Sequence, residues 1–433
     1  MELTTEQRDL RKAVRAMLAR YQRASRAGAD AGPGDGPGYD EQLWLRLCGE
    51  IGVAGLAIPE HYGGAGGGPV ETCIVVAELG RALVASPMLG SPVLAGQALL
   101  ASGDAEACRR LLPAIASGTV AALAWVPETG HWDPAGPAFD ARPAPAAPSI
   151  RTAATTARTA PAAPSIRTTP TTARTAPAAP STIPASAASG TPLSSVAPGR
   201  SWVLTGEAHH VLDGDAARVL LAAARTPDGV ALFEVDPGQD AVTRRAVTAM
   251  DTTRRLAVVR LDGAEARRLV SGTDGQQALS RARDLACIAL SAEQAGAAQR
   301  ALELTVGYTK VRVQFGRPIG SFQALQHRMA DLHVLVESAR SLCYAAAFAA
   351  DDGEPAHPSG EPARLTLLAA AAKAHCSHAL TRAAAEMIQM HGAIGITWEH
   401  DAHRYFKRAH GAAQLFGRPD EHIARVAAAL IDG

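Results

Sequence analysis

The chain opens with a helical pattern of apolar positions. Leu10, Val14, Met17 and Leu18 recur at spacings that place them on one face of a helix. The preceding residues 4–7, TTEQ, resemble a capping box, in which Thr and Gln side chains satisfy free backbone N–H groups at a helix start. The opening therefore predicts an amphipathic helix, and further helical patterns continue to about residue 117.

The pattern becomes strand-like after residue 118. Short apolar runs separated by turn residues are VAALAWV (120–126), SWVLTG (201–206), ARVLLAAA (217–224), GVALFEV (229–235) and RLAVVRLDG (255–263). Alanine-rich helical segments then run to the end, with breaks at 316–320, 351–362 and 392–397. The order of helices, strands and helices predicts an α+β fold rather than a wound parallel sheet, with domains at 1–117, 118–272 and 273–433.

A repeat interrupts the predicted β domain. Residues 145–183 repeat with a period of 16, so that Pro145, Pro161 and Pro177 begin successive copies. Beyond Ile150 and Ile166 the copies contain Pro, Ala, Thr and Arg, which offer little apolar surface to bury. We expect a disordered insert at about 134–198, either an expanded loop or an arginine-bearing tether for an acidic partner.

Charge and cysteine usage restrict the partners and the compartment. Lys+Arg and Asp+Glu both number 42, which argues against nucleic acid or a membrane surface as a partner. The six cysteines show no CxxC spacing, which favours reduced, packed thiols. The charged N-terminus lacks a signal-peptide pattern, and no apolar run has membrane-spanning length. The abundance of arginine over lysine and of alanine fits a GC-rich bacterial genome. These features predict a bacterial cytoplasmic protein.

Two motifs in the last third of the chain resemble a known family. Residues 308–332 read YTKVRVQFGRPIGSFQALQHRMADL, and residues 389–409 read QMHGAIGITWEHDAHRYFKRA. Both resemble the acyl-CoA dehydrogenase family, as do LTTEQRDLRKAVRAML and GVAGLAIPEHYGGAG near the N-terminus. The resemblance covers nearly the whole chain outside the repeat. It implies an N-terminal helical domain, a middle β domain and a C-terminal four-helix bundle, with FAD shared across a dimer contact.

The resemblance also implies which residues contact the cofactor. Arg312, Gln314 and Phe315 match the RxQFG turn, where an arginine fork suits a pyrophosphate. Gln389 and Gly392 match the second nucleotide-contact segment, although Ala393 replaces the second glycine of the family pattern. The family arrangement is expected to place the turn on one protomer and the second segment on the other chain.

The family's catalytic carboxylate is missing from both of its usual positions. Family members remove an α-proton from an acyl thioester with a Glu base, while the β-hydrogen leaves as hydride to the flavin. In this chain the two positions that the family uses for that Glu are Phe416 and Ala286. Asp284 and Glu293, on the same predicted helix as Ala286, are the candidate substitutes, although solvated or ion-paired roles are the commoner explanation.

The flavin-ring segment of the family is also altered. Glu128 in VPETGHWD matches the family pattern, but the Gly-Ser-Asp that follows in the family is absent, and His210 stands at an aromatic position. Two histidine pairs at 209–210 and 400–403 have no third ligand at metal spacing, so we expect no metal site.

Two classes of function follow. The first is an FAD-dependent dehydrogenase of an acyl-CoA or acyl-carrier-protein thioester, either a homo-oligomer or the base-lacking subunit of a hetero-oligomer, with electron-transfer flavoprotein as an acceptor. The second is a repurposed fold, with non-redox thioester chemistry or a purely binding role.

Overall fold

A computed structural model describes residues 3–27, 38–144, 201–269, 275–351 and 364–431. The repeat at 145–183 lies outside these residues. Within the described ranges, five α-helices come first: α1 (Thr5–Ala27), α2 (Glu41–Arg46), α3 (Pro69–Arg81), α4 (Gln97–Ala101) and α5 (Ala105–Ala116). The predicted capping box is confirmed, because the Gln7 N–H donates to Thr4 Oγ1 at 3.2 Å and the Thr4 N–H donates to Gln7 Oε1 at 3.0 Å.

The middle region forms one seven-stranded sheet. Its strands are β1 (Ala121–Ala124), β2 (Phe139–Pro143), β3 (Trp202–Leu212), β4 (Val219–Thr226), β5 (Gly229–Val235), β6 (Val242–Val247) and β7 (Leu256–Arg268). Pairings β4–β2–β3–β7–β5–β4 close a barrel, while β1 extends it beside β4 and β6 beside β7. Buried Phe139, Leu204 and Phe233 belong to a core cluster of this sheet.

Two strands were missed by sequence reasoning. Strand β2 runs antiparallel to β3 from Phe139↔Gly206 to Pro143↔Trp202, so the predicted start of the insert near residue 134 is wrong. Its sequence, FDARP, is short and ends in Arg and Pro, which carries little strand signal. Strand β6 is exposed along most of its length and, among the described strands, pairs only with β7. Because an exposed strand needs few apolar residues, its sequence, VTRRAV, contains no apolar run of the kind that marks a buried strand.

The C-terminal region is helical. Helices α6 (Gly275–Val311), α7 (Gln323–Asp351), α8 (Arg364–His391) and α10 (Pro419–Ile431) pack together, and α9 (Ala402–Gln414) packs on α8. A small hairpin, β8 (Val313–Gln314) with β9 (Arg317–Pro318), separates α6 from α7. Helix α6 also packs on α3, and its side chains between Ala286 and Ala298 are all buried. The predicted α+β architecture is confirmed.

The cysteines agree with the expectation of reduced, packed thiols. All six cysteines are buried free thiols, and burial raises the pKa of Cys287 to about 12. No helix in the described ranges is both long enough and apolar enough to cross a bilayer.

Candidate functional site

The break between α6 and α7 is a tight hairpin turn. The Ile319 N–H donates to the Arg312 carbonyl at 2.8 Å, and Phe315 and Gly316 occupy the turn with φ of 52° and 77°. Positive φ at both positions is typical of a type I′ turn, in which glycine is unstrained but a phenylalanine is not. Phe315 is also 92% exposed. A strained backbone that presents an aromatic ring to solvent is typical of a binding position.

The predicted cofactor contacts of this turn are all on the surface. Arg312 and Gln314 are exposed, and the Arg312 side chain forms no hydrogen bond or ion pair within the described residues. The neighbouring Arg317 instead lies over the Phe322 ring at 4.1 Å. Arg312 is therefore free to present its guanidinium group to an anion.

The second predicted segment lies beside the first. Helix α8 ends at His391, and Gly392 follows with φ of 67° and no heavy atom within 4 Å of a Cβ built there. The Tyr308 ring stacks on His391 at 4.3 Å, and the Tyr308 hydroxyl donates to the His391 carbonyl at 3.4 Å. Gln389 is exposed. The C-terminal ends of α6 and α8, which precede the two segments, therefore contact each other within one chain.

Phe416, which the family resemblance aligns with the usual base, is completely buried. Its ring packs edge-to-face on Trp132 at 4.9 Å, and Trp132 packs in the same way on Trp125 at 5.6 Å. The backbone of Phe416 has φ of 61°, a left-handed conformation that a bulky residue rarely adopts. An aromatic cluster therefore fills the space in front of this turn. No pattern in the sequence indicated that Trp132, in the altered flavin-ring segment, would contact Phe416.

The second base position lies close to the first. Ala286 is completely buried, and the adjacent Cys287 places Sγ 3.7 Å from the Phe416 carbonyl oxygen. The structure thus brings the two aligned positions together, and neither side chain can accept a proton.

The two substitute carboxylates are held by other groups. Asp284 Oδ2 accepts a hydrogen bond from Thr366 Oγ1 at 2.8 Å, and burial raises the pKa of Asp284 despite nearby Arg283 and Arg425. Glu293 Oε1 accepts from Arg408 Nη1 at 2.7 Å and also pairs with Arg254. Among the described residues, no hydrogen bond or ion pair joins either carboxylate to Phe416. The contacts account fully for Glu293, whereas the buried Oδ1 atom of Asp284 has no hydrogen-bond partner within the described ranges.

Arg408 forms a buried ion cluster that sequence reasoning missed. It is 2% exposed, and its guanidinium contacts Glu293, Asp251 at 3.0 Å and both oxygens of Thr253. Burial acts to raise the pKa of Asp251, but Arg408 and Arg254 hold it below its usual value. The available sequence signal was Asp251 and Thr253 in MDTTRR, residue types that are typical of a turn between strands.

Lys373 and His422 contact the backbone carbonyls of the turn at Phe416. Lys373 is fully buried, and its Nζ donates to the carbonyls of Ala413 and Gly417, both at 3.1 Å. His422 Nε2 lies 3.1 Å from the Phe416 carbonyl oxygen. Burial lowers the pKa of Lys373 to about 8 and that of His422 to about 3. A neutral His422 therefore donates to Phe416, and the turn is anchored on both sides.

The remaining predicted positions carry ordinary contacts. Glu128 is exposed, and His210 has φ of 55° at an irregularity in the β3–β7 pairing. His209 pairs with Glu207 at 3.0 Å, and His403 packs against Trp398 at 4.7 Å. In the described ranges, no group of three His, Cys, Asp or Glu side chains is arranged to hold a metal ion.

Comparisons with known proteins agree with this architecture. Two family models match: "Acyl-CoA dehydrogenase, N-terminal domain" over residues 4–119 and "Acyl-CoA dehydrogenase, C-terminal domain" over residues 274–431. The chain is 36% identical to acyl-CoA dehydrogenase IpdE2 of Mycobacterium tuberculosis over 423 residues, which is 97% of this chain and 96% of that protein.

Solved structures share the fold along the whole chain. A variant of the Tcur3481–Tcur3483 steroid ACAD has 26% identity and a TM-score of 0.75, covering 99% of this chain and 98% of that one. The ChsE4–ChsE5 complex from Mycobacterium tuberculosis has 25% identity and a TM-score of 0.75, covering 100% and 99%. A glutaryl-CoA dehydrogenase from Mycobacterium smegmatis in complex with FADH2, 18% identical, shares the fold with a TM-score of 0.77, covering 100% and 96%. With its two matched domains and its full-length relatives, the chain belongs to the acyl-CoA dehydrogenase family.

Proposed function

We propose that this chain is the base-lacking subunit of a hetero-oligomeric acyl-CoA dehydrogenase. In this proposal it contributes the nucleotide-binding edge of a FAD site, and a related subunit supplies the carboxylate that removes the α-proton of the acyl thioester. The observation that carries the proposal is Phe416, which is completely buried at the position aligned with the family's base. With Ala286 at the other position, no side chain at either place can accept a proton.

FAD is the cofactor of this family, and the residues at the hairpin suit its diphosphate end. Arg312 offers a guanidinium fork that has no partner among the described residues, Phe315 an exposed ring, and Gly392 an open backbone approach. FAD held there would supply the acceptor for the hydride that leaves the β-carbon. The residues expected at the flavin-ring end of FAD suit the cofactor less well, because Trp132, which follows Glu128 in the chain, packs directly on Phe416. This contrast supports a chain that holds nucleotide but does not hold a reacting thioester.

An exposed apolar surface next to the hairpin supports a partner subunit. Ile396 is 71% exposed and Trp398 83% exposed, on the segment that follows Gly392. Large exposed apolar side chains that cluster on a surface mark interaction sites. Two structural relatives, the Tcur3481–Tcur3483 protein and the ChsE4–ChsE5 complex, each carry the names of two different chains. We propose that a related subunit covers this surface and contacts the nucleotide.

The visible spectrum tests the proposal. We expect that the chain, coexpressed with a family member that keeps a glutamate at the position of Phe416, forms a yellow complex whose flavin absorption near about 450 nm is bleached by an acyl-CoA. The chain purified alone is expected to show no bleaching. Bleaching by the chain alone would contradict the assignment, and so would a complex whose flavin stays oxidised when the partner's glutamate is intact.

Arg312→Ala is expected to weaken FAD binding by about 10- to 100-fold, because hydrogen bonds from a guanidinium to a charged group contribute about 1.5–3 kcal/mol each. Fluorescence titration of the flavin-free complex with FAD measures this change. Arg225→Ala is the matched control, since Arg225 is an exposed arginine on β4 whose ion pair within the described residues is with exposed Asp140. Equal FAD affinity in the two variants would remove Arg312 from the cofactor site.

A further inference from the structure

A cavity of about 210 Å³ lies where helices α1, α3, α6 and α7 meet. Ile74, Ala295 and Cys343 line it and are almost completely buried, so one side of the cavity is apolar. The side chains of Arg15 and Arg340 also line it and stay 49% and 46% exposed, so the other side opens to solvent. An apolar cavity of about 150 Å³ holds a benzene-sized molecule. This cavity is therefore large enough for a small organic ligand.

Positive charge dominates the lining. Arg11, Arg15, Arg81 and Arg340 are the cations, and Glu78 is the one carboxylate of the lining; with the ion-pair partners Glu303 and Glu337 included, four positive and three negative charges leave a net charge of +1. Three of the arginines have carboxylate partners, which are Glu78 for Arg15 at 2.6 Å, Glu303 for Arg81 and Glu337 for Arg340 at 2.5 Å. Arg11 has no hydrogen-bond or ion-pair partner for its side chain within the described ranges.

Two further donors line the cavity without a partner in the part of the chain that the structure describes. They are the Tyr344 hydroxyl and the Gln299 amide. Burial raises the pKa of Tyr344 to about 12, against the opposing effect of nearby Arg11 and Arg340. The hydroxyl is therefore a neutral donor at physiological pH. Half-buried donors without partners that face one cavity can donate hydrogen bonds to a ligand bound there.

We propose that this cavity binds a small organic anion, a carboxylate or a phosphate monoester. Its charged end would accept hydrogen bonds from Arg11, Arg340 and the Tyr344 hydroxyl, and its apolar part would lie on Ile74 and Cys343. An inorganic ion would leave the apolar side uncovered, and a neutral apolar molecule would leave the donors unpaired. The cavity is formed by residues other than those of the proposed FAD edge, so this inference is independent of the proposed function.

Titration calorimetry on the full-length protein tests the inference with four probes. Benzoate and phenyl phosphate carry both an apolar ring and an anionic group, inorganic phosphate carries only the charge, and benzyl alcohol carries little beyond the ring. We expect one organic anion to bind at a single site at least about tenfold more tightly than inorganic phosphate and benzyl alcohol. Whichever of benzoate and phenyl phosphate binds more tightly identifies the anionic group. No saturation by either below about 10 mM would overturn the inference.

Variants localise the binding. Tyr344→Phe keeps the ring that packs in the fold and removes only the hydroxyl, and it is expected to weaken binding at least about fivefold. Arg11→Met is expected to weaken it at least about tenfold, since a charge-assisted bond is lost. Arg20→Met is the matched control on α1, because Arg20 is exposed and its described hydrogen bond goes to the Ala16 carbonyl. If Tyr344→Phe and Arg11→Met bind as tightly as Arg20→Met, the ligand does not occupy this cavity.

Discussion

Phe416→Glu is expected to lower the free energy of unfolding at pH 7 by about 3–5 kcal/mol, rather than to restore a catalytic base. The substitution removes a completely buried ring that packs on Trp132 at 4.9 Å. It also places a carboxylate in the aromatic cluster that Phe416 forms with Trp132 and Trp125. Chemical denaturation of the variant and the parent measures the difference.

The control for this prediction is Phe416→Leu, which loses the same ring and keeps the same left-handed backbone, but adds no charge. We expect it to cost about 1–2 kcal/mol. Burial is expected to raise the pKa of the introduced carboxyl group above its unfolded value of about 4.3. The deficit of the glutamate variant should therefore grow as pH rises above that value and shrink below it. Equal stability of the glutamate and leucine variants at pH 7 would contradict the prediction and show that a carboxylate at position 416 is hydrated or ion-paired.

Arg408→Met is expected to destabilise the protein by about 3–5 kcal/mol, because it removes one of the two arginines that compensate the buried carboxylates of Glu293 and Asp251. Arg408 is 2% exposed and pairs with Glu293 at 2.7 Å and Asp251 at 3.0 Å. Methionine preserves most of the side-chain volume, so the loss reports on charge and hydrogen bonds rather than on a cavity. Urea denaturation at neutral pH measures the effect.

Arg404→Met supplies the comparison on the same helix. Arg404 is 45% exposed and pairs with Asp401, three residues away, on the surface. Exposed pairs of this kind contribute up to about 1 kcal/mol. A similar loss of unfolding free energy in the Arg404 and Arg408 variants would show that the cluster around Arg408 is hydrated. Glu293 would then be a candidate proton acceptor.

Local patterns predicted most of the fold. Apolar spacing marked α1 and the strands β3, β4, β5 and β7, because the residues that fill a core recur with the period of the element that carries them. Strand β2 was missed, since FDARP depends on pairing with β3 rather than on its own apolar content. Barrel closure through the β4–β5 and β5–β7 pairs is likewise a property of distant contacts.

The site was predicted unevenly for the same reason. The hairpin at Arg312 and Phe315 is local, and its turn residues are readable in the sequence. Arg408 and Glu293 meet across 115 positions of sequence, and a charged residue in a helical pattern is usually assigned to solvent. Lys373 was missed because its main partners are the carbonyls of Ala413 and Gly417, which no sequence pattern identifies. A lysine inside LLAAAAKAHC was the available signal.

The central claim, that this chain carries no base for the α-proton, is tested most directly by hydrogen exchange. An acyl-CoA is incubated in D₂O with the purified chain and FAD, and deuterium at the α-carbon is followed by mass spectrometry. We expect the chain alone to exchange no faster than a protein-free solution, and its complex with a glutamate-bearing family member to exchange at least about 10²-fold faster, the scale of one positioned base. Rapid exchange by the chain alone that is lost in Asp284→Asn or Glu293→Gln would contradict the claim.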